Sequence, residues 1–161
     1  MANLLERLRR LLEPPAEPHP GHWSDALTVA YQQGLAWLGQ LRDEADAIAA
    51  RRRRLALGTD AWPDETAQAE AAARDAALAA EQQELLAVRD ALRVHLQELR
   101  AERERILALP DPDAAARQAR VVLARWQAEP ERLVRQVEPG GFVSDAAPPA
   151  GYEQPPGWEA R

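Results

Sequence analysis

The chain has 161 residues, enough for one hydrophobic core, and a formal net charge of −6. It contains no Lys and no Cys, and Ser only at Ser24 and Ser144, which excludes a Walker-type phosphate loop, a Schiff-base enzyme, thiol chemistry, disulfides and Cys-rich zinc sites. Much of the 46% apolar content is Ala and only 5% of residues are aromatic, so there is little to build a sheet from and the expected class is all-α and elongated.

Residues 1–13 predict a short amphipathic helix. Leu4, Leu5, Leu8, Leu11 and Leu12 share one face, and Arg7, Arg9 and Arg10 take most of the rest. So short a helix is marginal alone in water, and its leucines need cover. Docking on the rest of the chain or on a partner is one reading. The other is an anionic membrane surface, with the Leu face among lipid tails and the arginines among headgroups. The same arginines interrupt any secretory signal, and no apolar run approaches the ~20 residues of a membrane span. The expected location is cytoplasmic, at most peripheral at the inner face of a membrane.

Residues 14–23 form a Pro-rich linker. His19 and His22 have an H-x-x-H spacing, but no third ligand stands with them on an ordered element, so no metal or other cofactor is expected. A first long helix should run over about 24–57, with Ser24 as N-cap and Gly58 as its stop. Leu27, Tyr31, Gly34, Leu38, Leu41, Ala45, Ile48, Arg52 and Leu55 alternate four and three apart as a heptad seam. Gly34 leaves room in it for Trp37 or a side chain of the facing helix, and Arg52 has to snorkel out.

Arg51, Arg52, Arg53 and Arg54 are the strongest basic run. As a functional feature they are a candidate anion contact for nucleic acid or lipid headgroups. As a structural feature they complement the C-terminal helix dipole and lie near Asp64, Glu65 and Glu70 of the next helix. Four consecutive residues spread around a helix rather than lining a face. With the negative net charge, this makes nucleic acid a poor candidate partner.

After a turn at Trp62 and Pro63, a second long helix is expected over about 64–109. Leu78, Leu85, Leu92, Leu99 and Ile106 recur every seven residues, with Leu96 beside them. They form either a core seam or a self-association seam. The Ala-rich start allows close approach to the first helix, and the larger residues of the second half need more than one neighbour. A DNA-binding zipper is excluded because its basic arm must continue directly into the leucine row.

Pro110-Asp111-Pro112-Asp113 breaks the chain and restarts a third helix over 112–137. Ala115, Ala119, Val122 and Trp126 give it a face, which Leu133, Val134 and Val137 continue. Pairing about the turn sets Val122 near Leu99 and Trp126 near Leu96. Residues 24–138 then make an antiparallel three-helix coiled-coil bundle with a long central helix. Residues 139–161, rich in Pro and Gly, read as a disordered tail whose Tyr152 and Trp158 are candidate docking aromatics.

His95 is the one histidine inside a long helix, and Leu92 stands where a di-metal bundle motif requires Glu. No nucleophile has a base at a useful spacing. The expected function is a non-catalytic coiled-coil interaction or scaffold protein that self-associates, with a protein partner, a second copy, or both. The alternatives are a peripheral membrane protein anchored by residues 1–13 and a nucleic-acid binder using Arg51–Arg54.

Overall fold

A computed structural model of the chain describes residues 4–13, 21–58 and 64–137, without the side chains of Leu4, Leu5 and Val137. The described residues form five helices and no strand: α1 (Leu4–Leu11), α2 (Trp23–Gly58), α3 (Glu65–Leu107), α4 (Pro112–Gln127) and α5 (Glu129–Val137). The fold is an all-α helical bundle with α3, ~65 Å long at 1.5 Å per residue, as its spine. No described helix is long and apolar enough to cross a membrane.

The antiparallel hairpin of α2 and α3 is the frame. Leu27, Leu41, Ala45 and Ile48 of α2 meet Leu85, Leu92, Leu99 and Ile106 of α3 in a single core cluster. Heptad spacing keeps these residues on one side of each helix for the whole length of contact. Asp64 caps α3 by accepting the Thr66 N–H, and Asp111 caps α4 by accepting the Asp113 N–H, with Pro112 in the first turn. Ion pairs one helical turn apart, Arg42–Asp46 and Arg100–Glu104, form on exposed faces.

Several local expectations need correction. Ser24 is not the N-cap of α2. The helix begins one residue earlier, and the His22 carbonyl receives the Asp25 and Ala26 N–H groups while its ring nitrogen receives the Ser24 N–H. An imidazole acceptor placed there does the work of a capping hydroxyl. Gly58 closes α2 from inside rather than following it, and α3 ends at Leu107, two residues early. The third helix is two helices: α4 stops at Ala128, and α5 restarts at Glu129 ahead of Pro130. A proline in mid-helix has no N–H to give and clashes with the preceding turn, so the segment breaks there.

Along the base of the hairpin a third layer closes the core. α4 packs on α2 and α3, α5 on α3, and α1 on α5 and α2. At the centre of this layer Trp126 lies over Gly34. A Cβ at position 34 would stand against Leu96 and 2.9 Å from the Trp126 ring. Trp37 stacks on the same indole at 5.8 Å. Gly34 is therefore the notch that lets α4 reach the hairpin, with Leu96 and Trp126 both in it, as the pairing about Pro110 requires.

The third layer does not cover the whole hairpin. It extends as far as Arg7 of α1, which reaches Glu44 on α2 and Glu81 on α3. Beyond that level burial falls away: no residue of 49–58 is buried, and Ala71 is the only buried residue of 65–84. The far half of the hairpin is a two-helix arm projecting from a closed base.

Candidate functional site

The arm is where the described surface is least complete. Small Ala side chains alternate with polar ones where its helices meet and leave the surface open. One face holds an open groove of about 580 Å³, floored by Ala49, Ala56, Ala71 and Ala72. Arg52, Arg53, Asp75 and Gln82 rim it.

Arg52 occupies a seam position and escapes it by reaching across to α3. Its guanidinium donates to both Asp75 carboxylate oxygens, at 2.8 and 3.3 Å, and to the Gln82 side-chain oxygen at 3.2 Å. The hydrogen bond from Arg52, helped by its charge, holds the Asp75 carboxyl below the usual aspartate range. This two-pronged contact pins the register of the arm. The basic run was expected to lie near Asp64, Glu65 and Glu70, but none of the three forms an ion pair with it among the described residues. The antiparallel register sets Arg52 opposite Asp75 instead. Arg51, Arg53 and Arg54 are exposed and form no ion pair among the described residues.

The remaining candidate residues divide between core and surface. Leu85, Leu92, Leu96, Leu99 and Ile106 are buried in the chain's own core, and Leu78 packs against it half-buried. The leucine row is thus used internally. In α1, Leu8 and Leu12 are wholly buried and Leu11 is half-buried. Arg7 is held by Glu44 and Glu81, Arg9 lies 3.6 Å from Glu131 of α5, and Arg10 is exposed. The side chains of Leu4 and Leu5, the Pro-rich residues 14–20, Trp62, and the tail with Tyr152 and Trp158 lie outside the described residues.

Two features escaped the sequence reading. His95 and Glu129 are both buried and hydrogen-bond through His95 Nδ1, and Arg132 lies 3.8 Å from the second Glu129 oxygen. The sequence did hold a signal: His95 falls on the apolar face with Leu92, Leu96 and Leu99, where an unpaired imidazole is costly. The second feature is the acidic clamp on Arg7, which joins residues far apart in the chain. Among the described residues no three His, Asp or Glu side chains converge as a metal set.

No protein-family model, no curated protein and no solved structure matches this chain.

Proposed function

We propose that the protein is a non-catalytic interaction protein that holds out a stiff two-helix arm for docking. The observation that carries this reading is the contrast within one hairpin. At the base, three layers cover the apolar seam. On the arm the same two helices continue with no third among the described residues, joined by Arg52, Asp75 and Gln82 and left with an Ala-floored groove. Helices of this kind gain by adding a neighbour, because small side chains let another backbone approach to the near end of the 8–10 Å packing range.

The docked state of α1 weighs against the membrane reading. Leu8 and Leu12 are spent on the base, and Arg7 is engaged by two carboxylates. The open arginines weigh little for nucleic acid, because they point around the helix and, among the described residues, no aromatic side chain lines the groove beside them for base stacking.

Photo-crosslinking amino acids placed one at a time test the reading in cells. Leu57 and Ala76 sample the arm, and Val121 samples the base. Leu57 is 83% and Val121 67% exposed, so both are accessible. Adducts of discrete mass from the arm positions and none from Val121 are expected. Adducts from the base alone, or from neither region, would remove the arm from consideration as a docking element.

A further inference from the structure

The arm reading leaves open what fills the groove. We infer that it is a second copy of this chain, entering with the outer face of its α3. The inference rests on the proposed role of the arm and adds the occupant.

Two surfaces of the same arm complement one another. The groove offers a floor of methyl groups and one free cation on its rim, Arg53. Arg52 is also there, but Asp75 neutralises it. The outer face of α3 offers a ridge of the same scale. Ala69, Ala73, Ala76, Ala77 and Ala80 recur three and four apart and all are exposed, while Ala71 and Ala72 between them belong to the groove. Glu70 and Glu84 flank the ridge, both exposed and both without an ion pair among the described residues. A ridge of methyls laid in a floor of methyls permits close helix approach, and it brings Glu70 or Glu84 of one copy to Arg53 of the other.

A foreign helix would need the same chemistry, small residues flanked by carboxylates. The chain already carries that helix, of matching length, on the element that borders the groove. Charge pairing at an exposed rim contributes little energy but selects partner and register. The Ala faces bury modest area, so the contact belongs with small, weak interfaces.

The test uses the full chain and three exposed, unpaired residues whose replacement leaves the base intact. Sedimentation equilibrium up to about 500 µM, suited to affinities between micromolar and millimolar, should show wild-type association. Arg53→Glu alone should be monomeric, since it sets carboxylate against carboxylate. The double variant Glu70→Arg/Glu84→Arg should also be monomeric, since it sets arginine against arginine. Mixed one to one, the two should associate again, because every contact then pairs opposite charges. Circular dichroism and melting of each variant should match wild type. A second readout uses the absence of native Cys: Ala56→Cys on one copy should form a disulfide with Ala76→Cys on another under mild oxidation. A wild-type monomer, variants that still associate, or a mixture that stays monomeric would each overturn the inference. A monomer whose arm still crosslinks to another macromolecule would overturn the occupant and leave the arm reading standing.

Discussion

Gly34 and Gly39 stand five residues apart on one helix and invite opposite expectations. Replacing a helical Gly by Ala gains up to ~1 kcal/mol in propensity. At Gly39 a Cβ meets nothing within 4 Å, so Gly39→Ala should raise stability by about that amount. At Gly34 the new methyl meets Leu96 and the Trp126 ring, which is itself wedged against Trp37. Leu96 has a flexible tip, but the indole cannot turn aside, and overpacking of this kind costs about 1–3 kcal/mol. The clash wins, so Gly34→Ala should lower the urea midpoint while Gly39→Ala raises it. His95 and Glu129 supply a second contrast. Glu129→Ala or His95→Ala leaves a buried polar partner alone and should cost about 3–5 kcal/mol, whereas His95→Leu with Glu129→Leu should come out near neutral. A double-mutant cycle in urea reads the difference. At this scale the Gly34 notch was legible because a Gly in a heptad seam demands a visitor. The partner of His95 was not, because Glu129 enters the core only through the break at Ala128.

At the scale of the element, α1 is the best test of docking. Leu8 and Leu12 are wholly buried, so Leu8→Ala should cost about 2–5 kcal/mol. An unchanged urea midpoint would mean that α1 does not rest on the base. Asp75 ties α2 to α3 on the arm and makes a pH prediction. Its folded pKa is lowered from the ordinary 3.8 by Arg52. The pair therefore stabilises the fold fully above that ordinary value and loses its contribution as pH falls through the lowered one. The gap in melting temperature between wild type and Asp75→Asn should be present at neutral pH and close on strong acidification. The long helices and the turn at Pro110 were plain from heptad spacing, Gly and Pro. The split of α4 from α5 was only half legible: Pro130 can begin a new turn, but the apolar face continues across it, and periodicity alone does not register a missing N–H.

For the whole molecule, the division into base and arm sets a gradient of stability. Local opening is easiest where few apolar groups are buried. Amides of Leu92–Ile106 should exchange with solvent much more slowly than those of 68–80, although both lie in one unbroken helix. Uniform exchange along α3 would contradict the division. The leucine row could not by itself choose between an internal seam and one facing another copy. The choice was made by Gly34, α5 and α1, which bring a third layer over the row, and those contacts span separations that no periodicity reports.

The seat of α1 has one more consequence. The first described helix packs on the last described one, with Arg9 beside Glu131. During synthesis α1 emerges before any of its seat exists, and α5 is the last described helix to follow. The hairpin can assemble from contacts already in hand, starting at its turn. Leu8 and Leu12 of α1 have their full seat only once α5 has been made. Premature contacts of that helix are a hazard for the growing chain until α5 is there to cover it.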